Sequence, residues 1–492
     1  MKKAAVWVVC SILSISAVCM IGLGRATAQE GEGNVQAPPT DTAAWTLARY
    51  AVALKYEDLP PDVVAITKRR ILDTLGAAFG SYRADSMVAL RSVIAEEGGT
   101  PESTVIGSGQ KTSAINATMV NGSMIRYLDF TDTYWSTKGY MHPSNSIAEA
   151  LAVAERQHAS GKDLILATVL AYEIQDRLAD TFNWAEFEQH SGAGFTAPIV
   201  TGKLIGLNAE QMANAIGIGA SHNFALQGDY GVGYTSNMKA FGYAAGSGSG
   251  VMAALMAQKG FTGPVTIIET FDKSFMKNVS LAPLVDPRKD FSVTQAWMKP
   301  YEAFHVSHSS IAAVIQIAKE HSIKPDDIES IFVKGLPDRE TTAAPRHITA
   351  IPATKEDADH NLAYLLAMGI MHGAVGPDEY ARQEWKDPKV QALMAKVTTQ
   401  GDSELTKTFP KRWSCIVTIK MNDGQTYTQR IDLPKGGPDN PMTDDEIEAK
   451  FNNMVLKLIT KAQADEIIKT VLDLDNLNDV SGLTKLLKVT KP

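Results

Sequence analysis

Apolar residues recur every three to four positions through the first half of the chain. That period predicts helices over 43–54, 61–79, 113–127, 146–158, 162–178, 196–207, 209–219 and 240–259. Stop and start signals agree: Ser160 and Asn208 stand where helix N-caps belong, and Gly206 and Gly260 close the preceding helices. Beyond about residue 291 the texture changes. Residues 328–334 and 413–421 are rich in β-formers, and Asn422-Asp423-Gly424 joins the second run to 425–433 as a hairpin. Helical periods over 309–321, 357–371 and 389–396 lie between these strands, and a further helical pattern occupies 443–461 and 464–472. The expected fold is mainly α. A large all-helical domain is built from both chain ends (41–291 and 437–492), with an α+β lid domain inserted at 292–436.

With 492 residues, the chain is too long for one hydrophobic core, so two domains are expected. Its 45% hydrophobic and 21% charged residues exclude a disordered or polytopic membrane chain. A formal charge of −8 argues against a nucleic-acid partner, although it leaves room for a local cationic pocket. Lys2 and Lys3 precede an uncharged run from Ala4 to Leu23, and Ala26-Thr27-Ala28 supplies a small-residue cleavage site. Residues 1–28 therefore read as a cleaved Sec-type signal of a periplasmic or secreted protein without stable membrane insertion, and 29–40 as a disordered leader. The alternative is a retained anchor. Cleavage leaves Cys415 as the one cysteine, which its β-rich surroundings mark as a core residue.

Chemistry-bearing side chains are scattered. Asp129, Asp132 and Thr133 follow the predicted helix ending at Tyr127, and His142 follows a short loop. His190 precedes Ser191-Gly192-Ala193-Gly194, Lys239 precedes Ala240-Phe241-Gly242, and Lys299 precedes Pro300-Tyr301, with His305 and His308 close behind. Lysines beside small-residue helices suit an anionic ligand, and imidazoles move protons near neutral pH. Removing a proton α to a carboxylate needs a base together with fixed positive charge to hold the charge that develops. Other readings are weaker. The His305-x-x-His308 pair lacks a third ligand and Asp129-x-x-Asp132 lacks a longer acidic cluster, so no metal is expected. The glycine run from Gly246 to Gly250 has no preceding strand, which makes it a close-packing helix and not a dinucleotide loop.

Taken in order, several segments resemble the MmgE/PrpD family: Ile71-Leu72-Asp73-Thr74-Leu75-Gly76, Leu128-Asp129-Phe130-Thr131-Asp132-Thr133, His142-Pro143-Ser144, Lys239-Ala240-Phe241, Lys299-Pro300-Tyr301 and Ala358-Asp359-His360. The resemblance implies a homodimer that needs neither metal nor organic cofactor. It also implies a pocket between helical domain and lid that takes a small anionic carboxylate. It assigns His142 or His190 to proton transfer, Asp129 and Thr133 to orienting the imidazole or binding hydroxyls, and Lys239, Lys299 and His308 to the substrate. Lys239-Ala240-Phe241-Gly242 lies nearer the 2-methylcitrate dehydratase pattern than the Lys-x-x-His of cis-aconitate decarboxylases. The expected activity is thus a hydro-lyase on a hydroxy di- or tricarboxylate. An isomerase, epimerase or decarboxylase of the same family is the first alternative, and a non-catalytic periplasmic carboxylate-binding protein the second.

Overall fold

The computed structural model describes residues 37–184, 186–228, 234–335 and 350–491, so the expected signal at 1–28 and most of the leader lie outside the described residues. From Pro39 onward the chain forms a single compact unit. The mainly α fold is observed. Helices Ala43–Ala53, Pro61–Gly80, Ala114–Tyr127, Ile147–Arg156, Gly161–Thr181, Ala193–Leu204, Ala209–Ala220 and Met238–Gln258 build the first layer, each within a few residues of the segment its apolar period marks. Side-chain caps fix several starts: Ser160, Asn208 and Thr443 each accept from the backbone N–H three residues on.

Two apolar cores follow. One draws its residues from Ala43 to Met298 and again from Ile447 to Leu487; helix Pro61–Gly80 packs on Asp444–Val455, so the two ends of the chain share it. The other runs from Trp297 to Met421. It fills the space between a four-stranded sheet and the helices His308–His321, Leu362–His372 and Pro388–Met394. Sheet order is Val397–Gln400, Ile328–Lys334, Cys415–Met421, Thr426–Ile431; the first pair is parallel and the others antiparallel. Cys415 is buried in this sheet, and burial pushes its thiol up to about 12, as befits an inert packing residue.

Small residues set how closely the central helix approaches its neighbours. Along Met238–Gln258, a Cβ on Gly246 would lie 2.8 Å from the Ala193 Cβ, and one on Gly250 would lie 2.6 Å from that of Ala197. The glycine run is thus the close-packing stripe the sequence suggests. Beside it lies Glu149, fully buried near Ser146 and Ser247, where burial pushes its carboxyl up to about 7. Between its ordinary value and about 7 the unfolded chain has released this proton while the folded chain keeps it, so stability falls as pH rises through that window. We expect Glu149 to contribute a loss of up to ~3 kcal/mol in urea unfolding between pH 5 and pH 8, a share of the slope that Glu149→Gln should remove.

Candidate functional site

Asp129 organises the site. Helix Ala114–Tyr127 ends two residues before it, and the Asp129 backbone turns left-handed, with φ +53°, a conformation asparagine and aspartate tolerate better than other side chains. The turn sends the carboxylate, 3% exposed, towards three cations. Arg126 Nη1 donates to Asp129 Oδ1 at 2.5 Å, Lys299 Nζ donates to the same oxygen at 2.9 Å, and Lys239 Nζ lies 3.5 Å from Oδ2. Burial alone would raise this carboxyl, but Arg126, Lys239 and Lys299 outweigh it and hold Asp129 well below the usual carboxylate range.

Sequence-distant segments meet here for identifiable reasons. Thr133 and Trp297 exchange backbone hydrogen bonds (2.9 and 2.7 Å), which lays the 297–299 segment along 129–133 and drops Lys299 onto Asp129. Lys299 spends its three protons on Asp129 Oδ1, the Asp129 carbonyl and the Ala303 carbonyl, and burial lowers its ammonium to about 8. Lys239 stands in the first turn of Met238–Gln258 and also donates to both oxygens of Asp359, at 2.8 and 2.9 Å. Asp359 in turn takes Lys355 at 2.8 Å, and Lys355 reaches Glu302 at 2.8 Å. Burial would raise Asp359, yet Lys239 and Lys355 hold it below its ordinary value. Burial pushes Glu302 up to about 7 against the pull of Lys355.

Imidazoles border this cluster. His142, 5% exposed, lies 2.9 Å through Nδ1 from both the Asp132 carbonyl and Thr133 Oγ1. With Nδ1–H donated to the carbonyl, Nε2 is the nitrogen left to take a proton. Burial, then Arg126 and Lys299, keep this ring neutral, well below an ordinary histidine. His308 faces the Ala303 carbonyl that also receives Lys299, and burial lowers it to about 3. His190 packs on the face of Met238–Gln258 one turn beyond Lys239: a Cβ on Gly242 would sit 2.2 Å from His190 Nδ1. Gly242→Ala should therefore displace the ring. A several-fold or larger loss of turnover with less than about 2 kcal/mol of lost stability is the expected outcome in kinetics and urea unfolding.

All seven side chains to which the family resemblance gives a role are buried. Asp129, Lys239 and Lys299 touch directly, Thr133 holds His142, His308 shares a carbonyl with Lys299, and His190 packs against Gly242 of the helix that carries Lys239. Residues the sequence reading did not assign are Arg126, Glu302, Lys355, Asp359 and His360. Their signals were present: Arg126 stands one helical turn before Asp129, and Asp359-His360-Asn361 interrupts an apolar helical stretch with polar residues. Asn361 is in fact the N-cap of Leu362–His372.

The acidic and imidazole pairs do not point together at a cation. Asp132 turns away from Asp129 to Arg70, Tyr172 and the Ser144 N–H. His305 Nδ1 accepts from Trp135 Nε1 at 3.2 Å while His308 faces Ala303. Asp129, Asp359 and His360 do offer ligand atoms within 4.8 Å of one another, but the Lys239 ammonium already bonds into that group and supplies its positive charge.

Residues 45–283 match the family model of the MmgE/PrpD N-terminal domain and residues 301–475 that of the MmgE/PrpD C-terminal domain. The cis-aconitate decarboxylase of Homo sapiens is 25% identical over 89% of this chain and 93% of its own. A cis-aconitate decarboxylase-like protein of Aspergillus oryzae is 26% identical over 93% of this chain and 98% of its own. The 2-methylcitrate dehydratase of Escherichia coli is 23% identical over 73% of this chain and 79% of its own.

Proposed function

The chain belongs to the MmgE/PrpD family, and from that premise we propose that it is a cofactor-independent lyase that removes water from a small hydroxy di- or tricarboxylate. The observation that carries this reading is the charge balance of the buried cluster. Arg126, Lys239, Lys299 and Lys355 face two carboxylates held ionised, Asp129 and Asp359, with Glu302 only partly ionised near neutral pH. Positive charge is left over in a dry setting, where it attracts an anion far more strongly than on an open surface.

In this reading the substrate carboxylates displace part of the internal hydrogen bonding of Lys239 and Lys299 and take their surplus charge. His142 Nε2 takes the proton on the carbon α to a carboxylate, and the electron pair moves into that carboxylate, where the ammonium groups hold it. The pair then returns to form the carbon–carbon double bond as the neighbouring hydroxyl departs with a proton, giving water and an unsaturated acid. Asp129 keeps the two lysines in place, Thr133 fixes the His142 ring, His308 lies beside Lys299 at the Ala303 carbonyl, and His190 packs on the helix that carries Lys239.

Gly242 favours dehydration over decarboxylation, because no side chain fits between Met238–Gln258 and His190 where the decarboxylase pattern carries a histidine. Decarboxylation is the second reading, supported by the larger share of the chain that the human decarboxylase covers. Incubation with 2-methylcitrate, citrate, tartrate and cis-aconitate, followed by proton NMR and carbon dioxide release, separates the two. Unsaturated acid without carbon dioxide supports the hydro-lyase; carbon dioxide from cis-aconitate alone supports the decarboxylase. An α-proton that exchanges with solvent without loss of water identifies an epimerase or isomerase, and tight binding without turnover a binding protein. The amino-terminal address supports a periplasmic or secreted location, checked by fractionation, and the family resemblance supports a homodimer, checked by light scattering.

A further inference from the structure

We propose that His360 is a second catalytic imidazole of this site, taking up a proton as the polycarboxylate binds and giving it to the departing hydroxyl oxygen, with Asp359 as its positioning residue. The inference deepens the lyase reading above and rests on it.

The geometry singles out His360. It stands in the turn between helices Lys355–Ala358 and Leu362–His372, and its ring stacks on Phe304 with centroids 5.8 Å apart and planes 22° apart. Its two nitrogens face two carboxylates: Nδ1 is hydrogen-bonded to Asp359 Oδ1, with the Lys239 ammonium 3.3 Å from the same nitrogen, and Nε2 lies 3.7 Å from Asp129 Oδ2. Asp359 itself is immobilised by Lys239 and Lys355 and by the Phe304 N–H on its carbonyl. An imidazole oriented by a buried carboxylate is the arrangement that fixes which nitrogen handles the proton. Within the cluster His360 is also the most accessible ring, with 23% of its side chain exposed, whereas Asp129, Lys239 and Lys299 are all at 3% or less. A ligand entering from solvent meets it first.

Charge decides when it carries a proton. Burial and the Lys239 ammonium lower His360 from its ordinary value, while Asp359 and Asp129 oppose them. Lys355 and Glu302 stand behind Asp359, and Arg126 and Lys299 behind Asp129. In the ligand-free site the ring is therefore neutral at pH 7. A di- or trianion seated on Lys239 and Lys299 offsets the charge that held the proton off, so binding and protonation favour one another. The imidazolium then holds its transferable proton on Nε2, the nitrogen that faces Asp129 beside the two lysines. As the carbon–oxygen bond breaks, its electron pair stays on oxygen, Nε2 gives that oxygen its proton, water leaves, and the ring returns to neutral.

The test uses the full-length protein and propane-1,2,3-tricarboxylate, which has no hydroxyl to lose. Calorimetric titration at pH 7.0 in two buffers of different ionisation enthalpy should show uptake approaching one proton per site for wild type. That uptake should be lost in His360→Gln and reduced in Asp359→Asn. With a substrate that wild type turns over, His360→Gln should lower kcat by ~10²–10⁴-fold with KM changed less than about fivefold, and abolish the fall in kcat on the alkaline side. Asp359→Asn should shift that alkaline limb without removing it, which a purely structural role would not do. Circular dichroism and unfolding midpoints establish that each variant is folded. Turnover by folded His360→Gln within threefold of wild type, or unchanged proton uptake in it, overturns the inference while the lyase reading stands. Absence of any product or α-proton exchange from wild type overturns the lyase reading, and the proton delivery with it.

Discussion

His142→Ala should reduce turnover of the substrate by ~10²–10⁴-fold while leaving the affinity for an inert tricarboxylate within a few-fold of wild type. The expectation follows from two structural facts. Nδ1 lies against the Asp132 carbonyl and Thr133, so Nε2 is the reactive nitrogen, and burial with Arg126 and Lys299 nearby keeps the ring in the neutral, proton-accepting state. Because the charge that binds carboxylates comes from lysines, loss of the imidazole removes chemistry and not affinity. Steady-state kinetics paired with calorimetry checks both halves. Lys239→Ala should give the converse pattern, weakening the inert ligand more than it lowers kcat. Equal small effects from both variants would contradict the division of labour.

Asp129→Ala should cost ~3–5 kcal/mol of stability, among the largest effects of any single change in this site. The carboxylate is the shared partner of Arg126, Lys239 and Lys299, all buried, and removing it leaves three cations in a low-dielectric interior with one counter-charge fewer. Urea unfolding measures the loss. The sign of the pH effect follows from the same pairing: Asp129 is held below its unfolded value, so its contribution is complete above the ordinary carboxylate range and fades as pH falls towards its folded value. Adding Lys239→Met or Lys299→Met to Asp129→Ala should restore part of the stability, because each double variant removes a cation left without its partner.

The helices were readable because their signal is local. Apolar period, caps and glycine stops each act within a few residues, and the bounds of Pro61–Gly80 and Ala209–Ala220 follow the sequence pattern closely. Helix Asp85–Glu97 was not marked, since only Met87 and Ile94 are buried and no apolar face is established. The Tyr134–Trp135 and Tyr140–Met141 hairpin has two residues on each side, too few for alternation to show. Periodicity also ran 357–371 together as one helix, whereas the chain breaks at Asp359-His360-Asn361 and restarts on the Asn361 cap.

That break matters for the site, because it carries Asp359 into the cation cluster. The individual residues Asp129, His142, Lys239 and Lys299 could be picked out by type and motif. Their convergence could not, because it rests on long-range pairings such as Thr133 with Trp297 that leave no local pattern. Nor does sequence reveal that each lysine has an internal carboxylate partner, which makes the site a balanced network with a modest positive surplus instead of a bare cationic pocket.

The central claim is that this network receives a polycarboxylate with His142 positioned over the carbon that loses its proton. A crystal structure of the protein with propane-1,2,3-tricarboxylate bound tests it most directly. The account predicts carboxylate oxygens within hydrogen-bond distance of Lys239 or Lys299 and a ligand carbon within about 3.5 Å of His142 Nε2. A ligand seated elsewhere, with the Asp129 network closed and His142 facing no ligand atom, would contradict it.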